Sequence, residues 1–366
     1  MRLGLNLGYG GSERWPGEGL ADYVAEAERL GYDSVWVGES YSTDAVSVAA
    51  WLAARTQRIA VGTAAMQIPA RSPAITAMTA ATLSMLSGGR FRLGLAVSGP
   101  RVAEGWHGVA FGPPLTWSRE YIQAVRLALA GQRLTAQGRR VTIPAPGSQQ
   151  PPLRLMSAYA APGVPVYLAA MGPRNLELAG ELCDGWLAAF YSPEHSSAQH
   201  QAWLAGRAKR AATAQQEPFD VVATVPVAIG PDVHACADTV RPYCALYIGG
   251  MGPPERNFYY RHLAGLGFEP ECREIQRLYL SGHRPEAQRA VPFALIDSIS
   301  LIGPAARVRD RISAFAASGV TTLSVATQTG SLAQRLATLQ DVASCVSPAN
   351  EADQPERAGD RPESPG

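Results

Sequence analysis

Apolar residues occur along this chain in short continuous runs that alternate with stretches of helical periodicity. Continuous apolar runs without a polar face are typical of parallel strands that are covered on both sides. Between them, residues 20–30 carry apolar side chains at i, i+3, i+4 and i+7, and Gly31 is placed to end that helix. The predicted strands are residues 3–7, 34–37, 59–66, 91–97, 166–170, 185–190, 221–229 and 321–326.

Capping residues mark the helices between these runs. Ser72 and Pro73 supply an N-cap and a first-turn proline for a helix over residues 74–86. Prolines open the predicted helices 174–183 and 305–317 in the same way. Strands that alternate with helices eight times predict a (β/α)8 barrel of the triosephosphate-isomerase type, with an open doubly wound sheet as the alternative.

A single barrel domain is predicted over residues 1–346, with three insertions that exceed ordinary connections. The last insertion contains helical patterns at 255–266 and 270–280. Residues 347–366 are polar and rich in Pro, Glu and Asp, which predicts a disordered tail. The insertions are residues 99–115, 131–163 and 249–303.

The stretch 91–108 joins a buried strand to a predicted loop that holds Glu104, Trp106 and His107. In a barrel this loop follows the fourth strand, and the ends of barrel strands carry the functional groups. We therefore expect chemistry near this loop.

Composition narrows the class of protein. The 366 residues are 46% apolar and 17% charged, as in a globular protein, and the net charge of +1 gives no reason to expect nucleic acid or an anionic membrane as a partner. No apolar run is long enough to span a membrane, and the N-terminus lacks the apolar core of a signal peptide, so a cytoplasmic location is predicted.

Cysteine and lysine usage excludes several kinds of site. The five cysteines have no Cys-x-x-Cys spacing, which favours reduced thiols over a zinc site or a disulfide framework. Lys209 is the only lysine, so a phosphate-binding loop that depends on lysine is excluded.

Two predicted helices, 45–54 and 74–86, contain no charged residue. An outer helix of a barrel normally turns a polar face to water, so a homodimer that forms through these two helices is predicted. The alternative is that insertions of the same chain cover them.

The predicted carboxyl ends of the strands carry few acids and few metal ligands, so no metal site is predicted. Gly172, Arg174 and Asn175 open a helix after the fifth strand, where backbone N–H groups and a guanidinium can hold a phosphate. Alternatively, Gly-Pro has only a structural role, since this pair is common where a strand ends and a helix begins. Together these features describe a barrel that binds a phosphate-bearing aromatic cofactor and leaves the chemistry to it.

Segments spread over most of the chain carry a resemblance to a known family, namely residues 3–8, 27–37, 58–63, 67–73, 86–95, 97–100, 104–108, 166–170, 172–173, 184–186 and 246–252. In this order along the chain they resemble the luciferase-like monooxygenase family, and within it the members that use the deazaflavin coenzyme F420.

This resemblance implies a barrel whose cofactor ring lies near the ends of strands three and four, beside a non-proline cis peptide at Ala64-Ala65. It implies that Gly172, Arg174 and Asn175 hold the cofactor phosphate, together with Ser192. The full predicted cofactor-binding set is Asn6, Ala64, Ala65, Met66, Val97, Ser98, Gly99, Ala170, Gly172, Arg174, Asn175 and Ser192.

The predicted function is hydride transfer between F420 and a small organic substrate, with Glu39 or His107 as the general acid or base. Glu39-Ser40 stands where sugar-phosphate and alcohol dehydrogenases of the family have Asp-His, so activity on their substrates is not expected. Structural roles are the alternative for both side chains: Glu39 as a support for the backbone or Tyr41, and His107 as a loop cap. The alternative functions are an FMN-dependent monooxygenase supplied with reduced flavin, and a flavin- or deazaflavin-binding protein without turnover.

Overall fold

The computed structural model of the chain describes residues 1–8, 17–327 and 330–346. The predicted tail 347–366 lies outside the described residues.

Eight parallel strands form a closed barrel. Each strand pairs with its neighbours along the chain, and the last pairs with the first through Arg2↔Thr322 to Leu5↔Val325. This closure confirms the predicted (β/α)8 barrel and excludes the open sheet. The strands are β1 (Arg2–Asn6), β2 (Ser34–Val37), β3 (Ala60–Thr63), β4 (Phe91–Ala96), β5 (Val166–Ala169), β6 (Gly185–Ala189), β7 (Asp220–Ile229) and β8 (Thr322–Thr327).

Helices surround the barrel and build the insertions. The α-helices are α1 (Gly17–Arg29), α2 (Ala45–Arg55), α3 (Pro73–Leu86), α4 (Pro100–Gly105), α5 (Pro114–Leu129), α6 (Pro173–Leu182), α7 (Ser197–Arg207), α8 (Ala212–Gln215), α9 (Val233–Gly250), α10 (Phe258–Leu263), α11 (Glu269–Leu280), α12 (Arg284–Arg289), α13 (Phe293–Ile299), α14 (Ala305–Ala317) and α15 (Leu332–Val346). A π-helical turn (Ala264–Phe268) joins α10 to α11, and 3-10 turns lie at Ile68–Ala70, Ser157–Tyr159 and Pro193–His195. Among these described helices, none is long and apolar enough to cross a membrane.

The structure corrects three details of the predicted elements. The predicted run 59–66 is not one strand: β3 ends at Thr63, the Ala64-Ala65 peptide is cis as the resemblance implied, and Met66–Gln67 forms a separate two-residue strand that pairs with β4.

The stretch after β4 was predicted as a loop, but it contains the short helix α4. Gly99 is its N-cap and Pro100 its first residue, a position where the missing N–H of proline costs nothing. Glu104 therefore lies on a helix.

In the third insertion, α9 extends to Gly250, past the predicted start of the insertion at residue 249. The insertion ends in a three-residue strand, Leu301–Gly303, that pairs with the end of β7. Its predicted helical patterns correspond to α10 and α11.

A large aromatic side chain fills the middle of the barrel. Trp36 of β2 is fully buried and meets Tyr167 edge to face, with 5.1 Å between the ring centroids. Gly62 on the neighbouring strand makes room for it, because a Cβ there would lie 2.5 Å from the Trp36 ring. The interior is thus a packed core and not a channel.

Charged side chains close the amino-terminal end of the barrel. Asp220 accepts hydrogen bonds from the hydroxyls of Tyr167 (3.1 Å) and Thr322 (2.8 Å) and pairs with Arg2 at 2.8 Å. Nearby, Arg92 pairs with an acid of the loop before β2 at 2.8 Å. Burial, together with the Asp220 carboxylate, raises the pKa of Tyr167 well above its usual value.

Candidate active site

A cavity of about 520 Å³ opens at the carboxyl ends of the strands. Its floor consists of small residues from the ends of β3 to β6, which leave a surface without protruding side chains. These floor residues are Ala64, Ala65, Ala96, Val97, Ser98, Gly99, Ala169, Ala170, Ala188 and Ala189. A flat ring system can lie directly against such a floor.

Two residues beside this floor have a left-handed backbone that side chains other than glycine rarely adopt. Ser98, directly after β4, has a φ of 61°, and Phe190, directly after β6, has a φ of 52°. Such positions cost on the order of 1–3 kcal/mol each and cluster at functional sites. Both lie where barrel strands deliver functional groups.

Glu39, which follows β2, lines the cavity but has its carboxylate fully engaged. Arg71 donates to both oxygens, at 2.6 and 2.8 Å, and the backbone N–H of Gln67 donates at 2.9 Å. Burial alone would lower the pKa of Arg71, but Glu39 and Asp44 together raise it. Two-point pairing with a guanidinium holds the Glu39 carboxylate in one orientation.

Gln67 joins the two residues that were predicted to move protons. Its side-chain N–H donates to the Glu39 carbonyl at 3.1 Å, which turns the amide oxygen towards Nε2 of His107 at 3.3 Å. With the amide assigned this way, Nε2 of His107 is the protonated nitrogen. Sequence reasoning placed Gln67 at a strand end but gave it no role, although it is the residue that connects Glu39 to His107.

The start of α6 offers groups that suit a phosphate. Gly172 is the N-cap and has no side chain, and a Cβ there would meet nothing within 4 Å. Asn175 lines the cavity, and in the described structure its buried Oδ1 has no hydrogen-bond partner. Arg174 is exposed beside them. Pro173 has no N–H, and the Asn175 N–H donates to the Gly172 carbonyl at 3.0 Å. The N–H groups of Gly172 and Arg174 and the Arg174 guanidinium are therefore the donors that an anion would meet, whereas the Asn175 Oδ1 needs a donor from a ligand.

The cavity brings together most of the predicted site residues, namely Glu39, Ala64, Ala65, Val97, Ser98, Gly99, Ala170, Gly172 and Asn175. The rest lie behind or beside it. Asn6 donates at 3.1 Å to Thr224, which lines the cavity, Met66 is buried, and His107 contacts the cavity through Gln67. Ser192 is buried and hydrogen-bonds to Glu194 and His195 at 3.0 Å each.

The roof of the cavity was missed by sequence reasoning. Tyr247 at the end of α9 and Phe258 and Tyr259 at the start of α10 face the small-residue floor. The Tyr247 and Tyr259 rings meet edge to face at 4.6 Å, and both pack against Phe190. The aromatic composition of residues 246–259 was the available signal, but nothing in its spacing indicated that it folds over the barrel.

Within the described residues, no group of three or more His, Cys, Asp or Glu could hold a metal ion. The site therefore combines a small-residue floor, an aromatic roof, two left-handed strand ends and a helix start that suits a phosphate. This combination is typical of a barrel enzyme that works with an organic cofactor.

Comparison with known proteins agrees with this class. Residues 3–322 match the model of the luciferase-like monooxygenase family, and the chain belongs to that family. A protein of Mycobacterium tuberculosis, whose name describes it as a coenzyme F420-dependent oxidoreductase, is 38% identical over 93% of this chain and 99% of its own length. A 5,10-methylenetetrahydromethanopterin reductase of Methanolobus tindarius is 33% identical over 63% of this chain and 68% of its own length.

Solved structures confirm the fold. The F420-dependent tetrahydromethanopterin reductase of Methanopyrus kandleri superposes with a TM-score of 0.74 at 21% identity, covering 93% of this chain and 97% of that one. The predicted family and the predicted enzyme class, an oxidoreductase, are therefore confirmed. The names of the relatives support F420 over FMN as cofactor.

Proposed function

We propose that this protein is a coenzyme F420-dependent oxidoreductase that transfers a hydride between the cofactor and a small organic substrate. The observation that carries the proposal is the small-residue floor beside the start of α6, where Arg174 and backbone N–H groups can meet an anion. The full-length similarity to a protein named as F420-dependent supports the same cofactor.

The residues present fit this cofactor. Ala64, Ala65 and the segment 97–99 offer a flat surface for the ring, and Gly172 leaves open space where a larger residue would project. Arg174 and the N–H groups of the α6 start supply positive charge for the phosphate. When bound, the deazaflavin supplies two-electron hydride chemistry. Asn6, Met66, Ala170 and Ser192 complete the proposed site as lining or supporting residues.

Of the two predicted acid–base groups, Glu39 is the one whose contacts oppose proton transfer. Both oxygens of Glu39 are held by Arg71, so proton transfer by Glu39 would require this pair to separate. We propose that Glu39 positions Gln67, and that Gln67 in turn orients His107.

Titration of the purified protein with F420 and with FMN tests the cofactor. We expect saturable F420 binding in the micromolar range and much weaker FMN binding, measured by fluorescence. Gly172→Val should weaken F420 binding because the new side chain projects into the phosphate site. Gly163→Val is the matched control, since a Cβ there also meets nothing within 4 Å and Gly163 lies outside the cavity.

Tighter FMN binding, with oxygen-dependent turnover of reduced FMN, would overturn this proposal in favour of a monooxygenase. F420 binding without oxidation or reduction of any compound in a substrate panel would favour a binding protein.

We further propose that the protein forms a homodimer through α2 and α3. An apolar stripe on α3 supports it: Ile75 is 45% exposed, Met78 50%, Met85 57% and Leu86 64%. Met78→Glu should convert a sedimenting dimer to a monomer, whereas Met156→Glu, at another exposed methionine, should not. A wild-type monomer at micromolar concentration would contradict the proposal. The predicted cytoplasmic location stays a prediction.

A further inference from the structure

The interior of the cavity contains no unpaired charge among its described lining residues. Its only interior ionised group is Glu39, which Arg71 neutralises through two hydrogen bonds. The opposite wall is formed by Tyr247, Phe258 and Tyr259. A ring body that binds against this wall packs on aromatic side chains, so apolar ring surface on the ligand is favoured there.

The mouth of the cavity has a different character. It continues into an open groove of about 540 Å³ between α4 and the segment after α9, and Arg101 and Arg256 line both spaces. Both side chains are exposed, and in the described structure neither guanidinium takes part in an ion pair.

The groove is set up for an anion. Arg101 donates to the carbonyl of Gly250 at 3.0 Å, which holds its side chain across the mouth. Glu104, the acid in the same groove, accepts a hydrogen bond from the Phe111 N–H at 3.1 Å and forms no ion pair within the described residues. The groove lining thus carries two positive charges, of Arg101 and Arg256, against the one negative charge of Glu104, a net charge of +1. Guanidinium groups bind carboxylates and phosphates through paired N–H donors.

We propose that the substrate is an apolar, ring-bearing molecule with an anionic group. Its ring body lies against Tyr247, Phe258 and Tyr259, and its carboxylate or phosphate lies between Arg101 and Arg256. This inference rests on the proposed function and names the substrate class for the same site. It also accounts for a cavity with an apolar interior and a basic rim.

Two matched probes test the assignment: 2-naphthoate, an aromatic carboxylate, and 2-naphthamide, its neutral counterpart. Binding is measured by calorimetry with and without F420. We expect naphthoate to bind about tenfold more tightly than naphthamide, because only the carboxylate accepts charge-assisted hydrogen bonds from the two guanidinium groups. The double variant Arg101→Gln/Arg256→Gln should bind both probes equally, and Phe258→Ala should weaken both.

Arg154→Gln, a change at an exposed arginine that lines neither space, should leave the preference intact. Equal affinity of the wild-type protein for the two probes, a naphthoate preference that survives in the double variant, or no binding of either probe at millimolar concentration would overturn the proposal. F420 affinity is measured separately in every variant. Failure of F420 to bind the wild-type protein refutes the proposed function without changing the pattern of the two probes.

Discussion

The two ends of the barrel treat charge in opposite ways. At the amino-terminal end, Asp220 accepts hydrogen bonds from the hydroxyls of Tyr167, Thr321 and Thr322 and pairs with Arg2. These polar groups therefore have partners within the protein. At the carboxyl end, Arg101 and Arg256 have no ion pair within the described residues, and Asn175 has an oxygen without a partner. The difference teaches that this barrel concentrates its stabilising contacts at one end and leaves binding capacity at the other.

One group at the open end behaves like the closed end. Glu39 lines the cavity but is fixed by Arg71 as tightly as Asp220 is fixed by its partners. Glu39 therefore belongs to the residues that support the cavity wall and not to those that are left open to bind a ligand.

The largest expected effect compares two glycines on either side of the end of β4. Gly94→Ala places a Cβ 1.8 Å from the Thr63 carbonyl oxygen, so the backbone of β3 has to move. We expect a loss of about 3 kcal/mol in the free energy of unfolding. Gly99→Ala at the cavity, where a Cβ meets nothing within 4 Å, should change stability by less than about 0.5 kcal/mol. Urea unfolding measures both, and equal losses would contradict the difference in packing between interior and mouth.

The next prediction concerns Asp220, the acceptor at the centre of the amino-terminal end. Asp220→Ala removes the acceptor of the Tyr167, Thr321 and Thr322 hydroxyls and the nearer of the two carboxylates that pair with Arg2. We expect a loss of about 2–3 kcal/mol in stability. Cofactor affinity of the folded variant should stay unchanged. A large change in that affinity would show that the two ends are not separate.

The third change tests the supporting role of Glu39 at the open end. Glu39→Gln replaces an acceptor oxygen by an amide that faces Arg71, so we expect a loss of about 2 kcal/mol. Most of that loss should disappear when Glu39→Gln is made in an Arg71→Gln background, as a double-mutant cycle measures. A pH profile of turnover that loses one limb in Glu39→Gln, with unchanged stability, would instead identify Glu39 as the acid or base.

The smallest effect concerns pH. Burial lowers the pKa of His262, which bonds to the Phe190 carbonyl, and of His200, which contacts Tyr191. The unfolded chain therefore binds more protons than the folded protein below about pH 6.5. The contribution of these two histidines to the free energy of unfolding is fully present above this pH. It falls as the pH drops below it, by less than about 1 kcal/mol per histidine between pH 7 and pH 6. His262→Gln should reduce this slope in urea unfolding. An unchanged slope would contradict the assignment.

At most of their ends, the barrel strands were predicted from the sequence to within two residues. The exception is β3, where the apolar run continues past Thr63 although the chain bends there. Periodicity records burial but not direction, so a bend inside a buried run leaves no mark in it. α4 was predicted as a loop for another reason: its six residues are too few to show a helical period.

Part of the floor of the candidate site followed from the sequence, because barrel strands present their ends at one face, and Ala64, Val97 and Gly99 lie there around the cavity. The roof was not, because the path of an insertion is decided by packing and not by local pattern. The Arg71 pairing of Glu39 was also missed, since it joins residues 32 positions apart.

The sequence by itself determined the barrel, the family and the strand ends that line the cavity, because these follow from local periodicity, capping and similarity along the chain. Only the tertiary structure decided which charges meet. It paired Glu39 with Arg71, left Arg101 and Arg256 at the mouth, and brought Tyr247 and Phe258 over the floor. Side chains far apart in the chain meet only through the packing of whole elements, and that packing depends on shape and volume that no local pattern records.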